Sequence, residues 1–443
     1  MPRVRRSLVV VGGGVAGLTC AWSLQRAGHE VEVLERESVP GGRMRSERHG
    51  DFVVERGASF VTSGYRNLHD VVRALGLEAE LRVTPPVRNV VLRGGKLLPA
   101  DVTSPWRLLT SPLLSPLAKL RLARLPLEVV RHRRLLDPRH PERAAALDGE
   151  NLDSGLRRLV GDEVCDFLIA PAFAAIFGGE PAEWSLAFAL LVLRLFADGA
   201  RLQSFAGGNG AFTSALALQV PVRTGCDVQS VETETGGARV RYRRDGRECN
   251  VYADAVVVAA PGSAVTSLCR KLTPDERGFF EAVRYVRGTL VHLLFERAPH
   301  ALAGGGAVLP RREEQGLSGL SVDHHKSGVA PPGAGLASAS LSAAASERLW
   351  HADDESVTAF ALEALARTSI GALSPDRAVV HRFDTMSPCT APGALRRLAA
   401  FHRRIDRAPR LAFAGDYLVT PTVEGAVTSG LRAAVEISRT LRR

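Results

Sequence analysis

Residues 7–37 read SLVVVGGGVAGLTCAWSLQRAGHEVEVLERE, and the order of features in them decides the fold. Leu8 to Val11 form an unbroken apolar run, the signature of a strand buried on both faces of a parallel sheet. Gly12, Gly14 and Gly17 follow at G-x-G-x-x-G spacing. The first glycine permits a tight turn, the second lets a pyrophosphate approach the backbone, and the third lets a helix pack closely on the strand. A helix is expected from Ala16 to Arg26, ended by Gly28. Its opening residues, Val15 and Ala16, direct backbone N–H groups at phosphate oxygens. HEVEVLE is the second strand. Glu35 at its tip, beside Arg36, is placed to accept hydrogen bonds from ribose hydroxyls and disfavours a 2′-phosphate. A glycine triad alone is a weak signal, but strand, helix, second strand and acid in this order specify a dinucleotide site.

The next segment, VPGGRMRSE (39–47), strengthens that reading. Gly41 and Gly42 open the backbone, and Arg43 brings a charge suited to a diphosphate. AGGNGAF (206–212) lacks the fingerprint spacing, so one dinucleotide is expected and no separate NAD(P)H site. The chain has 443 residues, 45% of them hydrophobic, enough for two or more packed domains. Lys and Arg number 57 against 47 Asp and Glu. The excess favours anionic ligands or surfaces, but no nucleic-acid motif accompanies it, and nucleic-acid binding is not expected. The six cysteines form no CxxC pair and are expected to be reduced thiols in a cytoplasmic protein. The longest apolar run, LAFALLVLRLFA (186–197), contains Arg194 and suits a buried helix better than a membrane span.

Three segments in order, VVVGGGVAGLTCAWSLQRAGHEVEVLE with its following GGR, ADAVVVAAPGSA (253–264) and FAGDYLVTPTVEGAVTSG (413–430), resemble the superfamily of FAD-containing amine oxidases, protoporphyrinogen oxidases and phytoene desaturases. The resemblance implies an α/β protein. A Rossmann-type FAD domain, from 1–80, 206–272 and 401–443, would be interwoven with a mainly helical insertion at 85–205 and a substrate-binding mixed sheet at 273–400. It implies backbone contact with adenine at Val228 and cofactor contacts at Ala260 and Gly415. It places Asp416 at the ribityl or phosphate region and a helix bearing Val423 and Ala426 at the N1/O2 edge of the flavin, with Glu424 as that helix's cap. Cys389 lies near where some members carry a cysteinyl flavin link, but its spacing to the neighbouring Ala-Pro-Gly fits poorly, so non-covalent FAD is expected.

Members that oxidise amines usually carry a lysine near flavin N5 on the strand matching TLVHLLF (289–295), and here that strand has none. An aromatic partner expected just after SPCTAPG is also missing, which disfavours a simple amine. LVGDEVCDFLIAPAFAAIFGGEPAEWSL (159–186) resembles protoporphyrinogen oxidases more closely. That resemblance implies that Arg88 pairs with a substrate propionate, a match of guanidinium fork to carboxylate. Ala175 stands where a glycine is usual beside the flavin, and its methyl group narrows the site. His292 is a candidate side chain in the site and equally reads as a core histidine. His324-His325 show no metal spacing, and no metal is expected. The expected reaction is hydride removal from a large apolar substrate to flavin N5, with dioxygen or a quinone as electron acceptor. The rivals are a desaturase or tailoring oxidase of a polyene, terpenoid or amino-acid-derived metabolite, an amine oxidase, and a flavin-bound protein without catalysis. Residues 105–143 combine many leucines with nine Lys and Arg. They read either as a face lying on the inner membrane surface or as a cover over the substrate cavity.

Overall fold

A computed structural model describes residues 6–84, 89–100, 105–234 and 236–441. Its first sheet holds β1 (Ser7–Val11), β2 (Glu30–Leu34), β3 (Val222–Arg223), β4 (Ala255–Val258) and β5 (Leu411–Phe413) in the order β3-β2-β1-β4-β5. Every pair is parallel. Between β1 and β2 runs helix α1 (Val15–Arg26), one residue longer at its start than expected. The last long helix, α2 (Val423–Thr440), lies against α1. A Cβ on Gly430 would fall 2.4 Å from the Ala16 carbonyl oxygen, so the two helices meet backbone to backbone there.

The three antiparallel strands Asp227–Glu234, Gly237–Arg244 and Arg247–Ala253 form a separate small sheet. The last two are joined through Asp245 and Gly246, both at positive φ, the backbone that a two-residue Asp-Gly hairpin turn requires.

A seven-stranded sheet runs in the order Arg377–Pro388, Tyr285–Phe295, Gly335–Leu341, Leu317–Val322, Ala307–Val308, Val90–Arg93, Lys96–Pro99. Two of these strands modify the expected layout. Val90–Arg93 and Lys96–Pro99 were expected within the mainly helical part, yet they join this sheet, Val90–Arg93 pairing parallel with Ala307–Val308. Likewise Leu202–Phe205 pairs with Val61–Thr62 and Leu81–Val83, beside the N-terminal sheet. Both departures have one cause: strands find partners far away in sequence, which local periodicity does not encode.

Helices occupy most of 105–197. At their centre Phe173, Phe177, Trp184 and Phe188 pack ring against ring, with centroids 4.6–5.8 Å apart. The Trp184 indole N–H donates to the Gly178 carbonyl at 3.0 Å, so the one polar atom in that cluster is satisfied.

Candidate active site

The glycine loop divides its work among the three positions of its G-x-G-x-x-G spacing. Gly12 has φ +106°, and a Cβ there would meet the Ala259 carbonyl oxygen at 2.9 Å. Gly17 does not face the open site; its missing side chain lets the Gly12 carbonyl oxygen lie 1.9 Å from where a Cβ would project. Gly14 is the opposite case, with nothing within 4 Å of its Cβ position, and it borders a cavity of about 2550 Å³. A missing side chain that faces empty space at a helix N-terminus leaves room for a ligand phosphate. Gly41 donates its N–H to the Gly13 carbonyl at 2.8 Å, which fixes the second glycine pair beside the first.

The same cavity wall includes Gly12, Gly14, Val15, Ala16, Glu35, Arg36, Gly41, Gly42, Arg43, Val228, Ala260, Gly415, Asp416, Val423 and Ala426. Residues drawn from four distant segments therefore converge on one space. The Glu35 carboxylate is held from behind, accepting from the Gly13 N–H at 2.6 Å and the Glu37 N–H at 2.8 Å. Arg43 and Asp416 are not independent ligand contacts. They pair at 2.9 Å, and Arg43 also donates to the Met386 carbonyl at 3.0 Å. The fork is thus oriented before any ligand arrives.

α2 points its N-terminus at the cavity, with Val423 and Ala426 in the wall. Its cap corrects an expectation. Thr422, not Glu424, accepts the Gly425 N–H, at 3.0 Å. Glu424 reaches across to another helix, Arg66–Ala74, and accepts the N–H groups of Asn67 at 2.9 Å and Leu68 at 3.0 Å. From the second position of α2 the side chain leaves the axis sideways, where the open N–H groups of the neighbouring helix need an acceptor. Burial, only partly offset by those two bonds, pushes the Glu424 carboxyl up.

Of the remaining candidates, Arg88 lies outside the described residues. Ala175 lies in the cavity wall, on the helix Ala170–Phe177, and its methyl faces Gly319 of the seven-stranded sheet. Cys389 is not among the wall residues, and its thiol points to the Glu183 carbonyl at 3.3 Å. Among the described residues no group of His, Cys, Asp and Glu is arranged to hold a metal ion.

His292 is both a buried histidine and a wall residue, so the two readings of it merge. It is 2% exposed, with Nδ1 at 2.7 Å from Ser338 Oγ and Nε2 at 3.1 Å from His381 Nδ1. Burial, helped by the neighbouring His381, lowers its pKa to about 3, so the ring is neutral. Sequence reasoning missed its companions. Asp323 and Lys326, both 8% exposed at the side chain, pair at 2.6 Å and also face the cavity. Burial works to raise the Asp323 carboxyl, but the Lys326 ammonium beside it holds it below the usual range. Glu55, buried nearby in the same wall, accepts from the Asn209 N–H at 2.7 Å and the Ser46 hydroxyl at 2.7 Å. The available signal was an Asp and a Lys three residues apart in DHHK, where the histidines drew attention instead.

The model of the flavin-containing amine oxidoreductase family matches residues 15–438. Mitochondrial protoporphyrinogen oxidase of Nicotiana tabacum is 26% identical over 376 residues, covering 72% of this chain and 71% of that one. Coproporphyrinogen III oxidase of Propionibacterium freudenreichii subsp. freudenreichii is 30% identical over 222 residues, 47% of this chain and 39% of that protein. Among solved structures, cyclohexylamine oxidase from Brevibacterium oxydans IH-35A superposes with a TM-score of 0.78 at 19% identity, covering 99% of this chain and 100% of that one. At that identity the likeness speaks for the fold.

Proposed function

This chain belongs to the flavin-containing amine oxidoreductase family, and from that premise we propose that it is a flavin-dependent oxidase of a large, apolar, carboxylated substrate of the porphyrinogen class. The enzyme uses FAD. The observation that carries the substrate reading is the reach of the large cavity described above. It starts at the glycine loop and runs on between the helices, where Leu122, Leu125, Val129, Phe173 and Val192 wall it, with Arg311, Arg312 and Arg348 at other parts of the same wall. An apolar chamber with guanidinium groups around it suits a wide hydrophobic ring bearing carboxylates.

Bound FAD supplies a two-electron acceptor for the hydride of a substrate C–H bond. The chain supplies the rest. Gly14 and the first turn of α1 receive the pyrophosphate. Glu35 accepts from ribose. Arg43, aligned by Asp416, adds charge near the middle of the cofactor, and the N-terminus of α2 favours negative charge at the flavin ring. The apolar walls exclude water from the reacting face. The FAD is held without a covalent link, in keeping with Cys389 standing outside the cavity.

A membrane is the proposed source of the substrate. Thirteen large apolar side chains are exposed among the described residues, and six of them, Trp106, Leu109, Leu117, Leu120, Leu127 and Val130, lie between 106 and 130. Arg107 and Lys119, from the same helices, line the cavity. Apolar side chains alternating with cations suit an anionic bilayer surface, and no helix among the described residues is long and apolar enough to cross one. Dioxygen or a quinone is the proposed electron acceptor. The deciding experiment is anaerobic bleaching of the bound flavin by coproporphyrinogen, protoporphyrinogen, a polyene and an amine in parallel. Bleaching by a porphyrinogen alone supports the reading, and bleaching by the amine or polyene alone overturns it. Sedimentation with phosphatidylglycerol vesicles, against phosphatidylcholine vesicles, tests the membrane face.

A further inference from the structure

Five side chains form an unbroken line of hydrogen bonds from the cavity wall to the outside of the protein. Asp323 Oδ2 accepts from the Ser338 hydroxyl at 2.6 Å. Ser338 Oγ is 2.7 Å from His292 Nδ1, and His292 Nε2 is 3.1 Å from His381 Nδ1. His381 Nε2 is 3.1 Å from Glu47 Oε2. Asp323, Ser338 and His292 belong to the cavity wall. Glu47 is the outer end; its side chain is 25% exposed and is tied to Arg45. The line crosses three strands of the seven-stranded sheet and ends on the strand Ser46–His49.

The partners fix where the hydrogens lie. Ser338 gives its one hydrogen to the Asp323 carboxylate, so its oxygen must accept from His292, which places the His292 hydrogen on Nδ1. His292 Nε2 is then an acceptor, and His381 must donate to it from Nδ1. Glu47, whose carboxyl is brought down to about 2 as Arg45 and His381 outweigh its burial, is an acceptor as well. With every gap filled, His381 donates from both nitrogens and holds one more proton than a neutral ring, a proton that its burial makes easy to lose. Each of the four gaps contains one hydrogen. Sliding the hydrogens across the three inner gaps moves one unit of positive charge from His381 to Asp323, and the reverse slide returns it, with no side chain turning.

Resting on the oxidase reading above, we propose that this chain is the proton conduit of the reaction, exchanging the proton released in the oxidation between the cavity and solvent at Glu47. In each two-electron step a substrate C–H bond breaks and its hydride leaves to the flavin. That carbon becomes double-bonded to the neighbouring pyrrole ring, and a C=N bond forms within the ring as its N–H proton is lost. That proton enters at Asp323 and an equivalent one leaves His381 through Glu47; the Ser338 hydroxyl and the two rings then turn to reset the line for the next proton. The charged groups that face the line are Lys326 beside Asp323, Glu55 on the cavity side, and Arg45, His49 and Arg56 around the outer end. Lys326 keeps Asp323 ionised, and burial outweighs the Glu47 contact and lowers the His381 pKa. A proton that reaches His381 is therefore readily passed on to Glu47 and solvent, while the ionised Asp323 stands at the inner end as the acceptor.

The test uses the FAD-loaded protein, Ser338→Ala, His381→Gln and Glu47→Gln, with two independent readouts. In stopped flow with a porphyrinogen, Ser338→Ala and His381→Gln are expected to keep full flavin content and slow flavin reduction by about 100-fold, the lower end of the range of general acid–base catalysis, with an altered pH profile. In 15N-histidine NMR without substrate, His292 is expected to carry its hydrogen on Nδ1, and Glu47→Gln is expected to move the His381 titration to lower pH. Wild-type rates and pH profile in both cut variants overturn the conduit and leave the oxidase reading intact. If no porphyrinogen bleaches the wild-type flavin, the oxidase reading falls instead, and the NMR arm decides alone. A His292 hydrogen on Nε2, or a His381 titration indifferent to Glu47, then overturns the conduit.

Discussion

Adding one methyl group to a helical glycine is expected to have opposite effects at two places in this protein. At Gly278, inside the helix Pro274–Glu281, nothing lies within 4 Å of a new Cβ. Gly278→Ala therefore gains helix propensity and loses unfolded-chain entropy, a stabilisation of about 0.4–1 kcal/mol. Gly430 offers the same propensity gain, about 1 kcal/mol. There, however, the Cβ would lie 2.4 Å from the Ala16 carbonyl oxygen and 3.1 Å from the Cys20 nitrogen. Ordinary contact needs roughly another ångström, and backbone cannot step aside as a side chain can, so α2 must back away from α1. Overpacking of this kind costs about 1–3 kcal/mol. At the upper end, set by the backbone contact, about 2 kcal/mol of net loss remains, near a 30-fold change in the folding equilibrium. Because the N-termini of α1 and α2 both face the cofactor cavity, their separation should also weaken FAD retention. Urea unfolding of wild type, Gly278→Ala and Gly430→Ala, followed by tryptophan emission, with flavin content measured on each, tests the argument. If Gly430→Ala is as stable as wild type and keeps its FAD, the close approach at Ala16 does not set the helix spacing.

Three other outcomes are expected. Thr422→Ala should cost about 1 kcal/mol as a lost N-cap, whereas Glu424→Ala should speed hydrogen exchange at Asn67 and Leu68, with little change at Gly425; exchange mass spectrometry separates the two. His292 has its folded pKa depressed from 6.5 to about 3, so its contribution is fully present above 6.5 and is lost as pH falls from there towards 3. Replacing it with Gln should flatten that part of the stability-versus-pH curve, measured by urea unfolding. Acid precipitation should release all the flavin from wild type, and Cys389→Ser should remain as yellow as wild type; fluorescence left on the denatured chain would count against the non-covalent reading.

The parts of this architecture that could be read directly are those whose cause is local. The glycine loop, α1 and β2 follow from adjacent residues, because turn, close approach and helix packing each demand a glycine at a set distance from the last. The hairpin at Asp245-Gly246 is equally local. The remainder depends on pairs that sequence order hides. Arg43 meets Asp416 across 373 positions, and His381 meets Glu47 across 334. Glu424 could be seen to sit at a helix start, but the helix it serves begins some 350 residues earlier. His292 was conspicuous as a polar residue in an apolar strand, yet its meaning lies in Ser338, His381 and Asp323, ordinary residues of other elements. Val90–Arg93 was unreadable for the same reason: a four-residue strand is defined by the neighbour it pairs with.

The strand order β3-β2-β1-β4-β5 has a consequence for the timing of biosynthesis. β1 and β2 are among the first residues made, but the sheet gains β3 only after residue 223 and β5 only after residue 413. The helix that closes the cofactor cavity is made after β5. At about 5–20 residues per second, the glycine loop waits tens of seconds on the ribosome with one flank of its sheet bare and its phosphate cradle half built. Flavin therefore cannot assist the early stages of folding. It arrives as a late check, and a nascent chain stalled before residue 414 offers chaperones an apolar parallel sheet rather than a pocket.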